Sequence, residues 1–183
     1  KARENTVYLL VLHSERLMSL EKRTKRLLKR YRVFPRKRFG QSFMVDEGYL
    51  YDMVSYASLN KSDVVLEIGA GFGELTRALS PLCGRVVAVE VDRKLAEIFR
   101  VEAAGLDNVV LVEGDVLEVD IPSFNKVVSN PPFSISSPIL FWLFEREFDL
   151  AVLTFQREFA ERLVASVGSK DYSRLTVETY YRA

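Results

Sequence analysis

The chain has 183 residues, of which 48% are hydrophobic and 11% aromatic, and a formal net charge of +1. This length fits one domain, and this apolar content supports a sizeable core, so wholesale disorder is excluded. A single cysteine, Cys83, excludes an internal disulfide and a cysteine-rich zinc site. The longest apolar run near the N-terminus, residues 7–12, is too short to cross a bilayer. We expect a cytoplasmic, monomeric protein without a metal or a membrane contact.

The positive charge is concentrated in one segment. Residues 22–38, here called the basic arm, contain 10 Lys or Arg and no acid, whereas residues 39–183 contain 13 basic and 22 acidic residues, a net charge of −9. Such an arm is typical of sequence-independent binding to a nucleic-acid backbone. The alternative is a solvated helix face with surplus lysines. We expect residues 1–38 to form a helical extension with the basic arm, and residues 39–183 to form the main domain.

The apolar spacing predicts a helix over residues 1–30, a loop over 39–43 and a second helix over 46–58. From residue 63 onward, short apolar strands alternate with helices. The predicted strands are 64–68, 86–91, 109–112, 126–129 and 150–154, and the predicted helices are 74–80, 93–104, 138–144 and 157–167. This alternation predicts an α/β fold, a mostly parallel sheet with helices on both faces. Ligands then bind beyond the carboxyl ends of the strands.

The loops after the first three strands suggest a nucleotide-like cofactor. Gly69, Gly71 and Gly73 follow the first strand, where glycine lets the backbone approach a ligand closely. The third glycine follows the second by two residues, whereas the dinucleotide fingerprint requires three. This difference favours S-adenosylmethionine (SAM) over NAD as the cofactor. Glu90, after the second strand, can accept hydrogen bonds from ribose hydroxyls, and Asp115, after the third, can accept from an adenine amine. Each acid alone is more often a helix cap or a loop residue; their order after successive strands favours SAM.

The fourth strand ends in Asn130-Pro131-Pro132-Phe133. This segment is either a stiff turn or the centre of an amine methylation site. An exocyclic adenine nitrogen is a poor nucleophile because its lone pair is delocalised into the ring. The Asn130 side-chain oxygen and the Pro131 carbonyl could accept its hydrogens and favour a tetrahedral nitrogen, with the prolines fixing the backbone. Phe133 could stack on the base.

These motifs resemble those of the ribosomal RNA adenine dimethyltransferase family, the KsgA/Erm group, and most of all its archaeal KsgA members. The resemblance extends over about residues 27–183. The Phe-Gly-Gln-Ser-Phe loop at 39–43 and the Gly-Ser-Lys-Asp-Tyr-Ser-Arg-Leu segment at 168–175 are its most particular pieces. The other pieces are residues 65–71, 90–92, 113–115, 130–138 and 156–160.

The resemblance implies a Rossmann-like SAM-dependent methyltransferase. The reaction implied is N6,N6-dimethylation of two adjacent adenosines in small-subunit ribosomal RNA or a pre-ribosomal particle, during ribosome biogenesis. Because family members continue past this length, we expect the final strands of the sheet and the family's C-terminal helical domain to be absent. The implied catalytic residues are Asn130, Pro131 and Phe133; the implied SAM-binding residues are Gln41, Ser42, Met44, Gly69, Gly71, Glu90, Asp115 and Asn130; and the implied RNA-binding residues are Phe43, Phe133, Arg36, Lys37 and Arg38.

Two other functions remain open at this stage. The Asn-Pro-Pro-Phe segment also resembles that of DNA adenine and protein glutamine methyltransferases, which would perform the same chemistry on another amine. A ribosome assembly factor with weak catalysis is the alternative from a different class. The 39–43 loop and the basic arm favour the ribosomal RNA substrate.

Overall fold

The structure is a computed structural model that describes residues 19–34 and 43–182. Residues 1–18 of the helix predicted over 1–30, and residues 39–42 of the loop predicted over 39–43, lie outside these ranges. The described helices are α1 (Leu20–Arg30), α2 (Glu47–Tyr56), α3 (Glu74–Leu79), α4 (Arg93–Glu102), α5 (Ser136–Phe144), α6 (Arg157–Leu163) and α7 (Arg174–Arg182). The described strands are β1 (Val64–Ile68), β2 (Arg85–Glu90), β3 (Val109–Glu113), β4 (Lys126–Ser129) and β5 (Leu150–Leu153), and a short 3-10 turn covers Phe133–Ile135.

The five strands form one sheet in the order β3-β2-β1-β4-β5, and all neighbours are parallel. Alternate strand residues point to opposite faces, so each face has its own core. On one face Val65, Val86 and Val128 pack with residues of α2, α3 and α4. On the other, Leu66, Val87 and Val127 pack with α5. The predicted α/β fold, with helices on both faces of a parallel sheet, is confirmed.

Acidic caps explain where two of the helices begin. The Asp46 carboxylate accepts a hydrogen bond from the Tyr49 N–H at the start of α2, and the Asp92 carboxylate accepts one from the Lys94 N–H at the start of α4. Each satisfies a backbone donor that the helix itself leaves unpaired. The strands lie within one residue of their predicted bounds, and most helices lie within two, because these caps and the apolar runs are visible in the sequence.

At the C-terminal end, one predicted helix has the wrong end and one helix was not predicted. The helix predicted over 157–167 ends at Leu163, and α7 was not predicted at all. Val164 and Val167 are 80% and 83% exposed. Because these residues bury no apolar face, packing does not stabilise a helix beyond Leu163. In α7, the buried residues are Leu175 and Thr176, whereas Tyr180 and Tyr181 are exposed. The helix therefore does not bury the apolar stripe of i, i+3 and i+4 residues by which a helix is recognised in a sequence.

The helix α1 packs against the sheet domain. Leu27 and Val33 are buried against Phe72, Leu95 and Ile98. This contact closes one side of the region in front of the carboxyl ends of β1 and β2. The proposed boundary at residue 38 between an extension and a main domain stays a prediction.

Polar contacts also fix α1 in place. The Arg23 guanidinium lies 2.9 Å from the Glu74 carboxylate and 3.6 Å from that of Glu102. The Thr24 hydroxyl donates to the Met44 carbonyl at 3.3 Å. Because Arg23 is paired with these carboxylates and only 18% exposed, its charge does not contribute to the solvent-exposed charge of the basic arm.

Candidate cofactor and active site

A cavity of about 310 Å³ lies at the carboxyl edge of the sheet. The paired register of β1 and β4 ends at Leu66 and Val127, and beyond it the two strands are joined through a side chain. The Ser129 hydroxyl accepts from the Ile68 N–H at 3.1 Å and donates to the Ile68 carbonyl at 2.6 Å. The strand order reverses between β1 and β4, since β2 and β3 lie on one side of β1 and β4 and β5 on the other. In doubly wound sheets, ligands bind in the crevice at this position.

The glycine loop forms one wall of the cavity. Gly69, Gly71 and Gly73 have φ of 82°, 56° and 80°, a backbone region that favours glycine. A Cβ atom at Gly69 would lie 3.3 Å from the Pro132 side chain, which also lines the cavity. A side chain at position 69 would therefore narrow the crevice, whereas glycine leaves the backbone there accessible to a ligand.

Glu90 closes the end of β2 and is tied to this loop. One carboxylate oxygen accepts from the Gly71 N–H at 2.8 Å, and the other accepts from the Asp92 N–H at 2.9 Å. Burial raises the pKa of Glu90, and these two hydrogen bonds oppose the increase. A carboxylate has about four acceptor positions, so both oxygens retain capacity for the two hydroxyls of a ribose.

Asp115, Met44 and Phe43 also line the cavity. One Asp115 oxygen accepts from the Leu117 N–H at 3.0 Å, which leaves the other oxygen for a ligand donor. The Phe43 ring is stacked on Phe72, with centroids 4.7 Å apart and an interplanar angle of 12°. One face of Phe43 is thus used inside the protein, and only the other could meet a base.

Glu67 is a buried cavity residue that the sequence analysis did not select. It is 2% exposed and accepts a hydrogen bond from the Thr76 hydroxyl at 2.5 Å. Burial raises the pKa of Glu67 to about 8; the bond from Thr76 opposes this increase and the nearby Glu90 carboxylate adds to it. The sequence signal was the acid inside an otherwise apolar strand, which is unusual because buried carboxylates are costly.

Glu67 makes stability depend on pH. The folded chain holds a proton at Glu67 that the unfolded chain releases above its ordinary pKa of 4.5. The stabilisation is therefore complete at low pH and is lost as pH rises from about 4.5 through 8, at up to about 1.4 kcal/mol per pH unit. We expect Glu67→Gln to flatten the fall in unfolding free energy between pH 5 and 8, measured by urea denaturation. The exposed Glu97→Gln variant is the control, and equal slopes in both variants would contradict the prediction.

Asn130 lies at the end of β4 and lines the cavity. Its side-chain oxygen accepts a hydrogen bond from the Thr154 hydroxyl. Pro131 is buried, and among the described residues no donor reaches its carbonyl oxygen. Phe133 is half-buried at the start of the 3-10 turn and does not line the cavity. The predicted stacking role of Phe133 remains a prediction.

Six of the eight predicted SAM-binding residues line this cavity, and several predicted site residues lie outside the part of the chain that the structure describes. Gln41, Ser42, Arg36, Lys37 and Arg38 lie outside the described residues. The predicted residues that line the cavity are Phe43, Met44, Gly69, Gly71, Glu90, Asp115 and Asn130.

The sequence analysis missed three polar residues of this region besides Glu67: Thr24, Thr76 and Thr154. Thr24 lines the cavity from α1, Thr76 is bonded to Glu67, and Thr154 is bonded to Asn130. Each contacts the site from a different element, and isolated threonines give no motif in the sequence.

The part of the chain described here contains no group of three or more His, Cys, Asp or Glu side chains that could hold a metal ion. In the same residues, no helix has the length and apolar character needed to cross a membrane.

Comparison with known proteins decides the family. A family model described as ribosomal RNA adenine dimethylase matches residues 34–182. The chain belongs to the ribosomal RNA adenine dimethylase family. Among curated members, a probable ribosomal RNA small subunit methyltransferase A from Methanopyrus kandleri is 53% identical over 152 residues, which are 82% of this chain and 55% of that protein. The resemblance inferred from the motifs is therefore confirmed.

Solved structures confirm the Rossmann-like methyltransferase fold. A crystal structure of a dimethyladenosine transferase from Plasmodium falciparum has a TM-score of 0.67 and 40% identity, over 73% of this chain and 50% of that one. The 23S rRNA methyltransferase ErmE has a TM-score of 0.65 and 32% identity, over 76% and 57% of the two chains. The chain spans about half the length of the curated relatives it matches; for the first of them the share is 55%.

Proposed function

We propose that this chain binds SAM in the crevice between β1 and β4 and dimethylates N6 of two adjacent adenosines in small-subunit ribosomal RNA. The observation that supports this most strongly is the position of Asn130 and Pro132 at the same cavity as the glycine loop, Glu90 and Asp115. A side chain that can accept hydrogen bonds from an amine thus lies in the same cavity as the groups that suit an adenosyl cofactor. The chain also belongs to the ribosomal RNA adenine dimethylase family.

The residues of the cavity fit SAM. Gly69 and Gly71 leave backbone open where a Cβ would fill the space, and Glu90 would accept from the ribose hydroxyls. Asp115 would accept from the adenine amine, and Met44 adds an apolar contact. When bound, SAM supplies a sulfonium methyl group, whose carbon–sulfur bond breaks as the bond to the target nitrogen forms.

The chain's own contribution is to hold the target amine. Asn130 Oδ1 and the Pro131 carbonyl would each accept a hydrogen of N6, which favours a tetrahedral nitrogen with its lone pair directed at the methyl group. No strong base is needed, because the proton becomes acidic once the nitrogen carries a methyl group. Preorganised acceptors of this kind act without rearrangement at the moment of reaction.

The outer face of α1 fits an RNA backbone. Lys22, Lys25, Arg26 and Lys29 are exposed and follow the i, i+3, i+4, i+7 spacing of one helix face. Lys25 is paired with Glu21, whereas no described carboxylate lies within ion-pair distance of Lys22, Arg26 or Lys29. The inner face of α1 contributes Thr24 to the cavity. A helix is about 10–12 Å across, so RNA on the outer face would lie close to the cofactor site.

The first experiment measures methyl transfer by this chain from SAM to small-subunit particles that lack the modification. Ribosomal RNA alone, adenine-containing DNA and a glutamine-containing protein serve as parallel substrates. We expect dimethyladenosine at two neighbouring positions of the RNA and no product with DNA or protein. Methylation of DNA or protein alone would support the alternative substrates. Binding of particles by a chain that forms no product would support the assembly-factor function.

The second experiment tests the RNA face. In the triple variant Lys22→Gln, Arg26→Gln, Lys29→Gln, we expect weaker RNA binding and a salt dependence reduced by about two to three in the slope of log K against log salt. The control variant is Arg93→Gln, Arg157→Gln, Arg174→Gln, which removes three charges that are over 80% exposed and each paired within its own helix. A slope that is unchanged by the first variant, or changed equally by both, would remove α1 from the RNA-binding surface.

A further inference from the structure

We propose that Thr154 is a positioning residue for the methyl transfer, because its hydroxyl holds the Asn130 amide in the orientation that receives the target amine. This inference rests on the proposed function and extends it to a residue outside the motifs. The Thr154 hydroxyl donates a hydrogen bond to Asn130 Oδ1. Thr154 is 5% exposed, so this hydroxyl is largely shielded from competing water.

The sheet register brings the two residues together. β4 and β5 are parallel, and their last paired residues are Ser129 and Leu153. The Thr154 N–H then donates to the Ser129 carbonyl at 3.2 Å, which extends the pairing by one step. Thr154 therefore lies directly across from Asn130, and its backbone N–H is fixed by this hydrogen bond to β4.

The bond from Thr154 is compatible with a bond from the substrate. An amide oxygen can accept two hydrogen bonds, so Asn130 Oδ1 can hold the hydroxyl and the N6 hydrogen together. The last torsion of an asparagine side chain is broad and needs a partner to fix it. The following proline restrains the Asn130 backbone to an extended conformation, and Thr154 restrains the side chain. The two together preorganise the acceptor.

The test compares Thr154→Val, which keeps the shape and removes the hydroxyl, with Thr154→Ser, which keeps the hydroxyl. We expect kcat for adenine methylation to fall about five- to tenfold in the valine variant, the amount typical of one lost hydrogen bond. The Kd for SAM and the KM for RNA should stay within about twofold. The serine variant should recover most of the lost kcat.

A matched control separates positioning from stability. Thr176 is also buried, at 6% exposed, and its hydroxyl donates to the Arg162 carbonyl at 2.7 Å in another part of the fold. Thr176→Val should lower stability without the selective loss of kcat. In an Asn130→Ala background, Thr154→Val should have no further effect on kcat, because the group that it positions is gone.

Three results of the kinetic and binding measurements would overturn the inference. These are an unchanged kcat in Thr154→Val, an equal loss in the serine and valine variants, and a loss of SAM affinity as large as the loss of kcat. Urea denaturation of the single and double variants measures the coupling between positions 130 and 154 without any activity, and additive effects would also overturn it. If the unaltered chain methylates no adenine, the proposed function fails, whereas the coupling still reports on the contact.

Discussion

Replacing Asn130 by alanine is expected to lower kcat for adenine methylation about 100-fold, the cost of removing one preorganised hydrogen-bonding group from a reaction centre. The Kd for SAM should change much less, because the proposed contact of the Asn130 side chain is with the reacting amine. Its side chain lies at the end of β4, in the cavity shared with the glycine loop and Glu90. Single-turnover methylation at saturating SAM, with SAM binding measured by calorimetry, separates the two effects.

The matched control lies at the other end of the same strand. Asn125 precedes β4, and its side chain accepts from the Val64 N–H at 2.8 Å and donates to Asp63 at 3.0 Å. These contacts connect β1 with β4 far from the cavity. Asn125→Ala should therefore lower the free energy of unfolding and leave kcat of the folded fraction near that of the unaltered chain. Equal kcat losses in the two variants would indicate that alanine at position 130 acts through the fold.

The strands and the glycine loop could be predicted from the sequence because their signals are local. β1 and β2 are short apolar runs bounded by turn residues, and Gly69 and Gly71 follow β1 directly. The acids at the strand ends could also be placed, since parallel strands bring their carboxyl ends to one edge. Local pattern and parallel topology therefore account for the placement of Glu90, Asp115 and Asn130 around one crevice.

The rest of the site depends on register and packing between distant segments. Thr154 lies 24 residues after Asn130, and only the β4–β5 register shows that they face each other. Thr24 reaches the cavity because Leu27 buries α1 against Phe72, a contact that no periodicity within α1 specifies. The Arg23 side chain likewise packs toward the sheet domain because it is paired with Glu74. These residues become visible only when the tertiary contacts are known.

Glu90→Gln is expected to weaken SAM binding about 10- to 100-fold, the usual cost of losing hydrogen bonds to a charged acceptor. The neutral amide has one oxygen where the carboxylate has two, and the Gly71 and Asp92 N–H groups already use both carboxylate oxygens. In the glutamine variant, the amide nitrogen would therefore lie opposite the N–H of Gly71 or Asp92, or would replace the oxygen that accepts from a ribose hydroxyl. At saturating SAM, kcat should fall less than about threefold, because the proposed contacts of the target amine are with Asn130 and Pro131 and not with Glu90.

The control for Glu90 is its neighbour across the sheet. Glu113 pairs with Glu90 in the β2–β3 register, but its carboxylate is bound to Arg100 at 2.8 Å on the surface. Glu113→Gln should leave SAM affinity unchanged while removing the same charge from the same sheet edge. Equal losses in both variants would mean that the total charge of this edge attracts the cationic cofactor. A loss confined to Glu90→Gln would support the proposed role of this buried carboxylate, through a contact with SAM or through its hold on the Gly71 N–H.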